Sequence, residues 1–451
     1  MTGLPRCRGQ RPPPLTMTVC WSKELQRIKN SGRQREAACV KVTHQAQGSA
    51  DTAGTRTSPF AGGMAWRDRR LIQRLKLRVP LLQAPMAGTQ TSELAVAVAR
   101  GGGLGAIPCA LLSPDAVREH VQRFRAATQH SASINLNFFC HTLPPANPTA
   151  DKQWQDLLAP YYREYGVDEA KLTEKGALRM PFDETSIELV QELKPEVVSF
   201  HFGLPAPHML QGVKDTGAIV FSTATTVREA VWLEEHGCDA VIAQGIEAGG
   251  HRGVFLPREG ASCDGVQYRN SSIDFPRQTG TMSLVPQIVD AVGIPVIATG
   301  GIGDARGVLA ASCLGAAAVQ MGTVFLLADE VKTSALHRKM LKLAAAASGD
   351  EAVETAITNI LSGRPARGFV TRVMRELGPI SAAAPEFPTA GAPLAALKKA
   401  AEAEGDTAFS SLWSGQSPAF AQEKSGEFIV RTIIDELDKL IANTNNRHSS
   451  L

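Results

Sequence analysis

Two histidines in this 451-residue chain stand where a side chain could move a proton. His201 closes an apolar run in Phe200-His201-Phe202-Gly203, and His251 follows another in Gln244-Gly245-Ile246-Glu247-Ala248-Gly249-Gly250-His251. Imidazole titrates near neutrality and suits general-base work. Asn135, Asn137 and Gln244 are amides on otherwise apolar runs. Once buried they need hydrogen-bonding partners, and a heterocycle with alternating donors and acceptors would supply them. Glu247 is a competing base, although the Ala-Gly-Gly after it suggests a loop folded against a ligand, which Glu247 would brace.

A second chemistry is written in glycines. Ala298-Thr299-Gly300-Gly301-Ile302-Gly303-Asp304 and Val319-Gln320-Met321-Gly322-Thr323 each end an apolar run. Glycines let backbone N–H groups approach phosphate oxygens, and a following helix dipole favours the negative charge. Neither segment contains Lys or Arg, so neutral donors, with the Thr323 hydroxyl among them, would hold the phosphate. The plainer use of such glycines is helix capping. Gly101-Gly102-Gly103-Leu104-Gly105 precedes a strand-like run, so it reads as a turn and not as a dinucleotide loop.

Several chemistries lack their residues. No paired carboxylates suit a glycosidase, no Gly-x-Ser-x-Gly elbow suits acyl transfer, and no lysine at the end of the sixth run suits a Schiff base. The eight cysteines include no Cys-x-x-Cys and no Cys/His pair at zinc spacing, so no metal is expected and the thiols read as reduced.

The elements that must position these residues are eight short apolar runs: Val79–Met86, Gly103–Cys109, Ser133–Phe139, Val197–Gly203, Ala218–Thr223, Ala240–Gly245, Pro295–Gly300 and Ala317–Gly322. Several do not alternate, as expected for strands buried on both faces of a parallel sheet. Helical segments lie between them, with Ser92, Ser113, Thr226 and Asp304 as N-caps and Gly101, Gly237, Gly293 and Gly315 just past their ends. Eight such units predict an α/β fold, a (β/α)8 TIM barrel. Insertions are expected after strands 3 (141–185), 6 (249–282) and 8 (330–422). The last helix is expected over Gly426–Ile441, with Phe428, Ile429, Ile433, Ile434, Leu437 and Leu440 on one face. A doubly wound open sheet is the alternative, but it needs a phosphate loop after the first strand, and none is there.

Composition agrees with a folded, soluble chain: 43% apolar, 20% charged and a net charge of +3. No run approaches the ~18 apolar residues of a membrane span, and no basic cluster is interleaved with aromatics, so neither membrane nor nucleic acid is an expected partner. Residues 1–63 carry ten Lys/Arg against Glu24, Glu36 and Asp51, leaving the rest of the chain acidic. They read as a disordered or spurious extension ahead of Met64 and a cytoplasmic protein; an organelle transit peptide is the alternative. The domain expected is 64–451, a barrel with a mainly helical insertion at about 330–422.

Taken in order, Gln83-Ala84-Pro85-Met86-Ala87-Gly88, Gly102-Gly103-Leu104-Gly105, Asn137-Phe138-Phe139, Gln244-Gly245-x-Glu247-Ala248-Gly249-Gly250-His251, Gly300-Gly301-Ile302 and Gln320-Met321-Gly322-Thr323 resemble the nitronate monooxygenase (2-nitropropane dioxygenase) family. Ser362-Gly363-Arg364-Pro365-Ala366-Arg367 and Leu412-Trp413-Ser414-Gly415-Gln416 extend the likeness, with Ser414 where the family commonly has Ala.

The resemblance implies an FMN-binding barrel that oxidises alkyl nitronates with O2 to a carbonyl compound and nitrite, as a monomer or homodimer. It implies that Ala84, Pro85 and Met86 pack along the flavin ring. Asn137 and Gln244, or Asn135 after a two-residue slip, would bond its polar edge or ribityl chain. Gly249 and Gly250 would line the ribityl side, and Gly300, Gly301, Gln320, Met321, Gly322 and Thr323 the phosphate. His251 matches the base that takes the α-proton of neutral nitroalkanes, and His201 would stabilise the nitro group. Trp413–Gln416 would cover the flavin.

An FMN-dependent NAD(P)H reductase, acting on enoyl-ACP or quinones, is the alternative within the same superfamily. A flavin-binding barrel without catalysis is a further one. A dehydrogenase of the IMP type would need a nucleophilic cysteine after strand 6, where Cys263 lacks the expected Gly-Ser setting.

Overall fold

The computed structural model describes residues 66, 68–168, 179–257, 278–347 and 353–448. The expected extension 1–63 and Cys263 lie outside them.

The eight apolar runs form eight parallel strands: β1 (Leu81–Gln83), β2 (Gly105–Pro108), β3 (Ile134–Phe139), β4 (Val197–His201), β5 (Ile219–Ala224), β6 (Ala240–Gln244), β8 (Val296–Thr299) and β9 (Ala318–Met321). A short extra strand, β7 (Gly250–His251), intervenes in the chain. The barrel order is β1-β9-β8-β6-β5-β4-β3-β2. The ring nearly closes between β1 and β2, where Leu104 and Leu82 bridge and Leu104 N–H donates to the Leu81 carbonyl at 3.0 Å. This α/β barrel has the architecture of a TIM barrel, and the non-alternating runs are indeed buried on both faces.

Local chemistry explains most boundaries. Ser113, Thr226 and Asp304 each accept an N–H from the first turn of the helix that follows. Ser92 does not cap: Thr91 holds that position without a side-chain bond, and Ser92 is already helical. Gly237 and Gly315 take left-handed φ of 94° and 93°, but on the first of these helices Gly102 (104°) replaces Gly101. Gly293 follows an extended Val292 instead. In the Gly102–Gly105 turn, a Cβ on Gly103 would sit 2.5 Å from the Leu81 carbonyl oxygen, so glycine is what allows β1 and β2 to meet.

The last helix runs longer than expected, Gly426–His448. It buries Ile429, Val430, Ile433 and Leu437. Phe428 is exposed (48%), because one residue's rotation carries it off the stripe that Val430 shares.

Beyond β3 lies a helix, Pro148–Glu164. Beyond β9 come helices Ala335–Ala346, Arg372–Glu376 and Gly391–Ala403 and an antiparallel pair, β10 (Thr355–Thr358) and β11 (Ala366–Phe369). The two segments share a core of Trp154, Tyr162, Leu394, Leu397 and Phe409, with Trp154 Nε1–H donating to the Ala390 carbonyl at 3.0 Å. β11 then pairs with β7, setting Ala366 opposite His251. That pairing carries one end of the late segment onto the loop after β6.

Candidate active site

A cavity opens at the C-terminal ends of the strands. Its wall includes Ala84, Pro85 and Met86 after β1, Asn137 on β3, His201 on β4 and Gln244 on β6. Gly249, Gly250 and His251 follow; Gly300 and Gly301 come from after β8, and Gln320, Met321, Gly322 and Thr323 from the end of β9. So the cavity gathers both histidines and all the candidate cofactor residues. Asn135 and Glu247 are not on the wall. Glu247 accepts from Thr281 N–H at 2.9 Å and from the Thr281 hydroxyl at 2.8 Å, so it braces the start of helix Thr281–Ala291.

The hydrogen bonds of His251 fix its tautomer. The Ser362 hydroxyl donates its one proton to the Arg364 carbonyl at 3.1 Å. Its oxygen can therefore only accept from His251 Nε2–H, 3.0 Å away. The remaining nitrogen, Nδ1, is the basic one, and no group among the described residues bonds it. Burial holds the His251 pKa well below 6.5, helped by the nearby Arg179 and then by His201, Arg364 and His141. At neutral pH the ring is uncharged.

His201 departs from its expected place in the chemistry. Its Nε2–H donates to the His251 carbonyl at 3.1 Å, so its Nδ1 accepts from the Thr223 hydroxyl, also at 3.1 Å. Both ring nitrogens are thus committed inside the protein. Burial lowers its pKa to about 3. Gln244 is similarly committed: Nε2–H donates to the same His251 carbonyl at 3.0 Å, and Oε1 accepts from Gly253 N–H at 2.9 Å. Three residues expected to touch ligand or substrate therefore form one assembly in which His201 and Gln244 hold the backbone of His251.

At the glycine end, the N–H groups of Gly300, Gly301, Gly322 and Thr323 have no protein acceptor among the described residues. Gly300 and Gly301 take φ of 118° and 69°. Segment 413–417 is laid across these loops. Gly415 N–H donates to the Thr323 hydroxyl at 2.9 Å, Gln416 N–H to the Glu247 carbonyl at 3.0 Å and the Ser417 hydroxyl to the Gly301 carbonyl at 2.7 Å. The Thr323 proton is left to donate elsewhere. Asn137 spends its amide N–H groups on Ser199, 2.9 Å to Oγ, and no group among the described residues bonds its carbonyl oxygen. Gln320 Oε1 is buried without a partner among the described residues.

A flavin mononucleotide fits this donor set. A cradle of neutral N–H groups and a hydroxyl suits its phosphate, and amide oxygens without a partner among the described residues suit its ring and ribityl N–H and O–H groups.

Thr223, Arg179 and His337 carry no functional signal in the sequence, and Ser362 stands there only within a motif, without a role of its own. Ser362 lies 111 residues from His251, and only the β7–β11 pairing brings it there. His337 lines the cavity with Nε2 buried and unpartnered, its pKa lowered to about 4 by burial. A histidine at the start of a helix such as Ala335–Ala346 carries no sequence signal of this kind.

The family model for nitronate monooxygenase matches residues 68–437. The nitronate monooxygenase of Pseudomonas aeruginosa is 37% identical over 82% of this chain and 99% of its own length. A crystal structure of nitroalkane oxidase from Streptomyces ansochromogenes superposes with a TM-score of 0.69 at 32% identity, covering 83% of this chain and 99% of its own. FabK from Thermotoga maritima superposes at 0.59 and 26% identity, covering 84% and 99%.

Proposed function

The chain belongs to the nitronate monooxygenase family, and we infer that it oxidises alkyl nitronates with O2 to a carbonyl compound and nitrite, with FMN as its flavin. When bound, the flavin supplies the electron-transfer chemistry between nitronate and O2. Everything else falls to the chain's own residues. Ala84, Pro85 and Met86 would pack along the ring, and Asn137 and Gln320 would bond its polar groups. Gly249 and Gly250 would line the ribityl side. The N–H groups of Gly300, Gly301, Gly322 and Thr323, with the Thr323 hydroxyl, would hold the phosphate. Segment 413–417, bonded to Thr323, Glu247 and Gly301, would cover that end.

His251 is the base in this reading. Its Nδ1, uncharged at neutral pH and turned to the basic tautomer by Ser362, takes the α-proton of a neutral nitroalkane; a nitronate arrives without that proton. His201, Gln244 and Thr223 act by holding the ring's backbone in place. The observation that carries the reading is this Nδ1, unbonded among the described residues, in a cavity that also holds an uncharged cradle of N–H groups suited to a phosphate.

The test has three parts. Heat-denatured holoenzyme should release FMN; release of FAD would remove the cofactor reading. Ethyl nitronate under air should yield nitrite with O2 uptake. Mixing with NADPH without air should leave the flavin colour unchanged, and rapid bleaching would favour a reductase.

A further inference from the structure

The cavity wall carries one full charge among the described residues: Arg179, which enters from the segment between β3 and β4. Among the described residues no Asp or Glu lines the cavity, and the histidines on its wall have pKa values lowered by burial. Among those residues, no carboxylate or carbonyl accepts from the Arg179 guanidinium. The neighbouring cations are committed. Arg364 is buried, lies 3.7 Å over the Phe202 ring and donates to the Val254 carbonyl. Arg252 is fully buried on the carbonyls of Gly245 and Gln244.

A largely desolvated guanidinium without an anion is costly unless something that binds supplies the anion. Arginine is also selective about shape, since its planar fork pairs best with two oxygens in one plane. A nitronate presents that pattern: two oxygens on one nitrogen, coplanar and sharing a full negative charge. A neutral nitroalkane has the same outline without net charge. Arg179 and His251 line the same cavity, so an anion held by the guanidinium shares that space with the imidazole.

Resting on the nitronate reading above, we propose that Arg179 is the substrate-binding residue that pairs with the two nitronate oxygens, so that the site prefers the anionic nitronate to the neutral nitroalkane. When His251 removes the α-proton of a nitroalkane, the charge that develops on the nitro oxygens meets the same guanidinium.

The test uses holoenzyme with matched flavin content. Nitrate, a planar oxyanion that cannot be oxidised, is titrated against the visible flavin spectrum. Arg179→Met should weaken nitrate binding and raise the KM for ethyl nitronate by roughly 10- to 100-fold, the range expected for a charged hydrogen bond. The KM for nitroethane should move by less than about 3-fold, and Arg179→Lys should recover part of the nitrate affinity, since it restores charge without the fork. With the cation gone, the acid limb of the nitroethane profile should shift to higher pH.

Unchanged nitrate affinity and nitronate KM in Arg179→Met would overturn the assignment. So would equal losses on both substrates together with lost flavin, which would mark a structural role. Should the wild type release no nitrite from nitronates while Arg179→Met still loses nitrate, the function reading fails and the anion site stands.

Discussion

The Nε2 of His251 and the Oγ of Ser362 lie 3.0 Å apart, and that contact decides which ring nitrogen is basic. Ser362 has spent its proton on the Arg364 carbonyl, so it can only accept, and Nδ1 becomes the lone-pair nitrogen. Removing the hydroxyl should let the ring sample both tautomers. Ser362→Ala is expected to lower kcat on nitroethane by roughly 3- to 10-fold, the weight of one neutral hydrogen bond, with flavin content intact. Preformed ethyl nitronate should be oxidised at the wild-type rate. Steady-state kinetics on the two substrates would show it, and equal losses on both would assign Ser362 to substrate binding instead.

His251→Asn keeps a similar size but removes proton acceptance. Turnover of neutral nitroalkanes should fall by about 10²–10⁴, the contribution of a positioned base. Oxidation of preformed nitronates should survive far better. Were nitroalkane turnover to persist, the base would lie elsewhere; His201, with both nitrogens committed, would be a poor replacement.

The pH profile follows from the surroundings of His251. An unperturbed imidazole would lose activity through about pH 6.5. Burial, the cations Arg179 and Arg364, and the neighbouring His201 and His141 instead hold its pKa well below that. The active form is the neutral one, so activity is present above the folded-state pKa and lost only as pH falls through it. Nitroethane turnover should therefore be flat from about pH 6 to 7.5, with its acid limb at lower pH. A midpoint near 6.5 would mean that the site is more hydrated than its burial indicates.

Gly301 has a φ of 69°, and a Cβ there would come 3.3 Å from Glu247 Cβ. A β-branched residue is strained at such a φ and would crowd the cradle. Gly301→Val should purify with little or no flavin and should not recover colour on incubation with FMN. Wild-type flavin content in this variant would remove the loop from the phosphate site.

The barrel was legible in the sequence because its strands are buried on both faces and its loops carry specific chemistry. Runs such as Ile219-Val220-Phe221 and Val296-Ile297-Ala298 are continuously apolar for that reason, and Ser113, Thr226 and Asp304 mark helix starts by the bonds they go on to make. Gly300, Gly301, Gly322 and Thr323 could be grouped from the chain alone, since consecutive parallel strands end side by side at one mouth. Phe428 and Val430 show the limit of periodicity, for a neighbouring helix chooses which residue of a broad stripe turns inward.

The roles within the site were decided elsewhere. His201, Gln244 and His251 looked alike as polar residues at strand ends, but the first two spend their polar atoms on the backbone of the third. Hydrogen-bond partners are a property of three-dimensional neighbours, and a spacing along the chain does not contain them. Ser362 reaches His251 only because β11 pairs with β7, and Arg179 is conspicuous only because the assembled wall holds no carboxylate among the described residues. Residue types and periodicity determined which groups would meet at the barrel mouth; the folded arrangement alone determined which nitrogen is basic and which cation faces the cavity with no acidic neighbour among the described residues.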